Sequence, residues 1–239
     1  MTKLESPSAE RNRGPIWDLV VEARLLKDVD ATTISTPLNA LEVAAGSGVH
    51  TQFFAQQLAS RKILVTWQST DPEASALASQ EAYIEEIAGP SSKSDEDKTY
   101  WRTCETVNFG KPLALTLDEN GIRETSTESA IADQSMDWIW TINMIHISPW
   151  AATQGLMKMA GTKLKPKSGR LILYGPYRVN GFTVESNLKF EEWLKAKDSS
   201  YGVRNLEDVV AEASKHGLEL EDTIEMPANN LSVILRKRG

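Results

Sequence analysis

Apolar residues in this chain gather in short runs, and amphipathic stretches alternate with them in a regular order. Ala40 to Ala45 is a short apolar run carrying one acid, Glu42, and predicts a buried strand. His50 to Leu58 follows at once with Phe53, Phe54 and Leu58 at helical spacing. Upstream, Ile16, Leu19, Val20, Ala23 and Leu26 predict a helix over Pro15 to Lys27, after a polar segment through about Glu10 that is expected to be a mobile tail. Downstream, strands are expected over Lys62 to Gln68, Leu113 to Leu117, Met136 to Ile142, Leu218 to Ile224 and Leu231 to Leu235. Arg170 to Tyr174 adds another, stopped by Gly175-Pro176. Helices are expected over Glu73 to Ile87, Trp150 to Leu164 and Leu206 to His216, the last closed by Gly217. Gly89 to Lys98 has turn formers and no large apolar residue, so a polar loop is expected across residues 88–99. The alternation predicts an α/β sandwich with a mostly parallel sheet.

The junction between the first strand and its helix is the most specific stretch. It reads Glu42-Val43-Ala44-Ala45-Gly46-Ser47-Gly48. Two glycines without side chains let a ligand approach the backbone, and the helix start behind them offers N–H groups with no partner inside the helix. A tight turn with no ligand would look the same. Asp71 closes the second strand about 25 residues beyond Gly46, where the ribose of a nucleotide is gripped in such folds. Asp71-Pro72-Glu73 is equally a helix start, and both roles can hold together. A dinucleotide site would place a third glycine where Thr51 stands, which disfavours a nicotinamide-dependent oxidoreductase.

Composition narrows the classes further. The chain has 239 residues, expected as a single domain, with 41% hydrophobic and 25% charged residues. A net charge of −7 argues against broad nucleic-acid binding. Cys104 is the only cysteine, which excludes an internal disulfide and a cysteine-rich zinc site. His50, His146 and His216 show no ligand spacing, so no metal is expected. No apolar run is long enough for a membrane span and the polar N-terminus lacks a signal-peptide core, so a cytoplasmic location is expected.

Other candidates cluster where strands end. Asn143 to Trp150 follows the fourth strand and contains His146, for which a general base, suited by its ordinary pKa, and a buried structural histidine are the two readings. Tyr174 and Tyr177 close the fifth strand, with pocket lining and core packing as the two readings. Asn229-Asn230 suits a hairpin turn.

In order along the chain, several stretches resemble the methyltransferase-like 26 group of class I S-adenosylmethionine (SAM)-dependent methyltransferases. They are Ala9 to Ile16, Leu41 to Gly48, Trp67 to Asp71, Asn143 to Pro149, Leu173 to Tyr177, Ser186-Asn187, Gly202-Val203-Arg204 and Met226 to Asn230. The resemblance implies a Rossmann-like fold, a seven-stranded mostly parallel sheet with its last strand antiparallel and helices on both faces. It implies SAM on Glu42, Ala44, Gly46, Ser47 and Gly48, with Asp71 on the ribose hydroxyls. Arg11 and Asn12 would close over the cofactor, and Asn143 and Met144 would also touch it. The adenine-side acid, at the end of the third strand in that group, is either replaced by Thr116 or shifted to Asp118.

The expected activity is methyl transfer to an oxygen or nitrogen of a small-molecule acceptor. His146 would take the acceptor proton, Tyr174 or Tyr177 would orient the acceptor, and Trp150, Asn187, Arg204, Asn229 and Asn230 would bind it. The competing expectation is a SAM-binding module without methyl transfer, either a partner protein or a non-methylating enzyme such as a cyclase.

Overall fold

A computed structural model of the protein describes residues 2–27, 29, 36–90 and 101–239. It divides into two compact units, Met1–Ala114 and Leu115–Gly239. Both are α/β, and each has parallel strand pairs at its centre.

The first unit begins with α1 (Pro7–Ile16) and a π-helical stretch, Trp17–Leu25. The helix thus starts inside the segment expected as a tail. Pro15 removes one N–H from the ladder, and Leu26 N–H donates to Val21 O, five residues back, at 2.8 Å. The wider turn buries Trp17, Val21 and Leu25 together with Ile16 and Val20. Leu19, expected on the apolar face, is exposed for the same reason.

Next come β1 (Leu38–Glu42), α2 (Val49–Ser60), β2 (Val65–Asp71) and α3 (Ala74–Ile87). Strands β1 and β2 pair in parallel, Leu38 beside Val65 through Glu42 beside Ser69. Phe54 of α2 packs between Trp17 and Trp67, with ring centroids 6.2 and 6.3 Å away. The outer strands are β3 (Gly89–Pro90), β4 (Arg102–Cys104) and β5 (Val107–Phe109). β5 is the parallel neighbour of β2, and β4 and β3 extend that edge antiparallel. Gly89 and Pro90 therefore begin a strand pair where a loop was expected; residues 91–98 of that loop lie outside the described residues. The strand expected over Leu113 to Leu117 is limited to β6 (Leu113–Ala114), beside Thr70 and Asp71.

The second unit opens with a hairpin, β7 (Leu117–Asp118) and β8 (Gly121–Ile122), then α4 (Thr125–Ala130), β9 (Trp138–Ile142) and α5 (Trp150–Lys163). Then follow β10 (Arg170–Arg178), α6 (Glu185–Lys197), β11 (Arg204–Asn205), α7 (Leu206–Lys215), β12 (Leu218–Met226) and β13 (Asn230–Lys237). β10 pairs in parallel with β9 and β11, while β13 runs antiparallel to both β10 and β12, as expected for the last strand. α7 buries Leu206, Val209 and Ala213, and Gly217 ends it with φ 72°.

Strand β10 does not stop at Gly175-Pro176 but runs through to Arg178. Gly175 is there because of what it faces. A Cβ at this position would lie 2.5 Å from the His146 ring, so the glycine is a site of close approach inside a continuing strand. Pro176 follows the last β10 residue paired with β9, Tyr174, where a missing N–H costs no bond in that ladder.

Substituting Gly175→Ala is expected to lower the unfolding free energy by about 1–3 kcal/mol in urea titrations. The double variant with His146→Ala should recover part of that loss, because the clash is with the imidazole. A full, unrelieved loss in the double variant would assign the cost to the backbone instead.

Candidate functional site

In the first unit, the chain leaves β1 through a turn with alternating left-handed residues: Ala44 at φ 54°, Gly46 at 57° and Gly48 at 95°. Ala44 is a non-glycine residue in a sparsely populated conformation, a feature that concentrates at functional turns. Gly48 cannot be replaced without a shift, since a Cβ would come 2.9 Å from Gln80 Cα on α3. Three side chains hold the turn from outside it. The Asp71 carboxylate accepts the Gly46 N–H through Oδ2 at 2.9 Å and the Glu73 N–H through Oδ1 at 3.0 Å. Gln80 Nε2 donates to Gly46 O at 3.2 Å, and Ser79 Oγ donates to Ser47 O at 2.7 Å.

Beneath the turn, Glu42 is buried. Its Oε2 accepts the Thr51 hydroxyl at 2.6 Å and the Trp67 indole N–H at 3.2 Å. Burial raises its pKa from 4.5 to about 7 against those two bonds, with the neighbouring Asp71 charge adding to the rise. Burial likewise raises Asp71, against its two backbone bonds. Thr51, which marks the departure from a dinucleotide turn, thus stands where a hydroxyl is needed to hold Glu42.

The N-terminal segment reaches the same neighbourhood. Asn12 Oδ1 lies 2.7 Å from His50 Nε2. Burial, then the Arg13 charge, lowers the His50 pKa to about 3, so this ring is neutral and its Nε2–H donates to Asn12. Leu4 N–H donates to Ser79 Oγ at 2.8 Å. Arg11 is exposed and has no ion pair among the described residues.

In the second unit, the segment after β9 turns sharply at Asn143 (φ 62°), whose N–H donates to Tyr174 O at 2.7 Å. Met144 O accepts the Ser148 hydroxyl at 2.7 Å. His146 is 0% exposed and packs edge-on to the Tyr177 ring at 5.0 Å. Its carbonyl accepts the Gly202 N–H at 3.0 Å, and its Nδ1 faces the Arg204 N–H at 3.5 Å. Its Nε2 has no partner among the described residues, and neither has the Tyr177 hydroxyl. Burial first, then the Arg204 charge, lowers the His146 pKa to about 3, and burial pushes the Tyr177 phenol up. A pKa this far below neutral leaves the ring uncharged at pH 7 and makes it a weak base.

Other expected residues turn out to be held by their own neighbours. Arg204 donates to the carbonyls of Ile145 at 2.9 Å and of Ser148 at 2.6 Å. It also covers Trp150 at 5.7 Å, and both line a groove of about 480 Å³ with Val203, Asn205, Asp208 and Glu212. Tyr174 is buried in β10. Asn187 Nδ2 donates to Thr183 Oγ1 and to Asn229 O, both at 3.1 Å, while Asn229 donates to Ser186 Oγ at 3.1 Å and Asn230 to Pro227 O at 3.0 Å. Thr116 and Asp118 lie before and in the β7–β8 hairpin rather than at the end of a parallel strand. The Thr116 N–H bonds Glu124 Oε2 at 2.7 Å, and Asp118 Oδ1 accepts the Asn120 N–H at 2.8 Å.

Trp67, Ser79 and Gln80 were not anticipated. Their signal was present as polar side chains on the inner face of α3 and an indole on β2, two register positions from the acid and on the same face of the sheet.

The family described as "Protein of unknown function (DUF938)" matches residues 3–237, and the chain belongs to it. Among solved structures, the chain is similar to one described as the complex between the Haloferax volcanii Trm112 methyltransferase activator and the putative methyltransferase. The identity is 12% over 97% of this chain and 93% of that chain, with a TM-score of 0.58. It is also similar to an O-methyltransferase family 2 protein from Planctomyces limnophilus in complex with apigenin, at 14% identity, 96% and 59% coverage and TM-score 0.59. A third is LepI in complex with SAM, at 11% identity, 92% and 48% coverage and TM-score 0.59. The chain thus spans about half the length of LepI. These likenesses show the fold, the Rossmann-like α/β fold of class I methyltransferases.

Glu42 generates a pH prediction. The folded state keeps a proton on this acid that the unfolded chain has lost between pH 4.5 and about 7, so this group lowers stability as pH rises through that window. His50 and His146 act oppositely, being neutral when folded and protonated when unfolded, so their contribution is lost as pH falls below 6.5. Glu42→Gln keeps an oxygen for Thr51 and Trp67 and removes only the acid's part. The unfolding free energy of the variant minus that of the wild type is expected to rise by about 1–3 kcal/mol from pH 5 to pH 8. A difference independent of pH would show an ordinary, exposed carboxylate.

Proposed function

We propose that this member of the DUF938 family binds S-adenosylmethionine on the turn from Glu42 to Gly48 and transfers its methyl group to an oxygen or nitrogen of a small-molecule acceptor. The observation that carries the reading is the turn itself. Its left-handed backbone is fixed by Asp71, Ser79 and Gln80 from β2 and α3, and it opens onto the start of α2, where N–H groups are free of intrahelical partners. Asp71 is the group for the ribose hydroxyls, and the Asn12 segment, tied to His50, is the covering element. The resemblance of eight stretches to the methyltransferase-like 26 group supports the same cofactor, as does the description of similar folds in complex with SAM.

In the reaction, the acceptor's lone pair forms a bond to the methyl carbon as the carbon–sulfur bond breaks. The products are S-adenosylhomocysteine and the methylated acceptor, whose proton leaves to solvent. Sulfonium is already a strong methyl donor, so the protein's main contribution is alignment of the reactants.

A second reading is a reaction that needs no base, such as a cyclisation with SAM bound but not consumed; what favours it is the burial of His146, which lowers its pKa to about 3 and makes it a weak base.

Calorimetric titration with SAM, S-adenosylhomocysteine and NAD tests the cofactor. The first two are expected to bind and NAD is not. Asp71→Asn is expected to weaken SAM at least about tenfold, because an amide NH₂ cannot accept one of the two backbone N–H groups that fix the turn. No binding of either sulfur ligand would sink the assignment. Radiolabelled methyl transfer to an acceptor panel then separates the two readings, since the cyclase-like one predicts SAM binding without labelled product.

A further inference from the structure

The segment ahead of α1 lies along one stripe of α3. Leu4 N–H donates to Ser79 Oγ at 2.8 Å, and Leu4 O accepts the Tyr83 hydroxyl at 3.3 Å. Lys3 pairs with Glu86, and its Nζ sits 4.3 Å from the centroid of the Tyr83 ring. Residues 79, 83 and 86 are spaced i, i+4 and i+7, so they share one face of the helix. Little apolar burial holds this segment: Leu4 is 40% exposed, and Lys3, Tyr83 and Glu86 are not buried. Its opening costs little, which places it among the elements that a ligand can shift.

The same helix holds the glycine turn. Ser79 is 0% exposed and gives its one hydroxyl proton to Ser47 O at 2.7 Å. The Leu4 N–H meets the same oxygen from its acceptor side. A hydroxyl that accepts one hydrogen bond donates a stronger second one, and its rotor is fixed. A trans peptide points its C=O and the following N–H in opposite directions. Anchoring Ser47 O on α3 therefore turns the Gly48 N–H away from α3, where it donates to Ala45 O at 3.2 Å and closes the turn. Gln80 fixes the preceding peptide by the same rule through Gly46 O. That leaves the Ser47 N–H facing away from α3, without a partner among the described residues. The segment, the hydroxyl and the turn are thus linked in series.

We propose that Ser79 is a positioning residue that couples the two ends of this series. Lys3-Leu4 acts as a strap whose docking on the Ser79 hydroxyl fixes the Ser47 peptide for a ligand, and a ligand on the turn in return holds the strap down. The proposal rests on the cofactor reading for the identity of the ligand, but not for the coupling.

The test uses proline to remove one N–H. Leu4→Pro takes away the donor to Ser79 and leaves the bond from Ser79 to Ser47. Thr2→Pro, at an exposed residue whose N–H has no partner among the described residues, is the control. In the ligand-free, full-length protein, hydrogen exchange of the Gly48 amide is expected to speed up about three- to tenfold in Leu4→Pro and to keep the wild-type rate in Thr2→Pro. SAM titration is expected to show affinity lowered by a similar factor in Leu4→Pro. Ser79→Ala should weaken SAM at least as much, and adding Leu4→Pro to it should weaken SAM no further, because the strap then has no route to the turn. An unchanged Gly48 amide in Leu4→Pro, a matching change in Thr2→Pro, or additive losses in the double variant would overturn the proposal. Equal acceleration of the β1 amides would also overturn it, by making the change one of global stability. Failure of SAM to bind wild type, with a Gly48 amide that follows Leu4→Pro, removes the cofactor and leaves the strap. SAM binding with affinity and Gly48 exchange both indifferent to Leu4→Pro removes the strap alone.

Discussion

One carboxylate in the first unit joins two turns that would otherwise be independent. Asp71 accepts an N–H from Gly46, behind β1, and an N–H from Glu73, ahead of α3. Each bond to an ionised acceptor is stronger than a neutral one, and both fix backbone rather than side chain. The left-handed conformations of Ala44, Gly46 and Gly48 persist because this bond and those from Ser79 and Gln80 over-determine them. The arrangement explains a feature that otherwise looks expensive, the burial of two acids close together. Glu42 is held by Thr51 and Trp67, and its position near half-protonation at neutral pH relieves the repulsion from Asp71.

Both units also hold buried polar atoms with no partner among the described residues: Ser69 Oγ and Gln80 Oε1 in the first, His146 Nε2 and the Tyr177 hydroxyl at the strand ends of the second. His146 works through its backbone carbonyl and Nδ1, which link the segment after β9 to residues 202–204. Gly175 makes room for the ring.

The parts legible in the sequence were those set by periodicity over many residues. The strand–helix alternation, α2, α3, α5 and α7, and the Gly46–Gly48 turn all follow from local pattern. Tertiary contacts decided the rest. Gly175-Pro176 reads as a strand end, but the glycine answers to an imidazole from a different segment. The parallel neighbour of β2 is Val107–Phe109, only three residues long, too short for a periodic signal beside the longer run at Leu113. α6 has a weakly apolar sequence and buries only Asn187 and Leu194, so its helical pattern carries little. Among site residues, Asp71 and Glu42 were legible as acids at strand ends. Their partners Thr51, Trp67, Ser79 and Gln80 were not, because a hydrogen bond across elements leaves no trace in local spacing.

The π-helical stretch from Trp17 to Leu25 has a geometric consequence for the segment ahead of it. A π-helix winds fewer degrees per residue than an α-helix. If the same nine residues wound as an α-helix, they would turn roughly half a revolution further, and α1 would meet α2 with its opposite face. Asn12 would then point away from His50. The over-wide turn is thus a phase adjuster, and the length of this segment, more than its composition, sets which side of α1 is presented to the glycine turn.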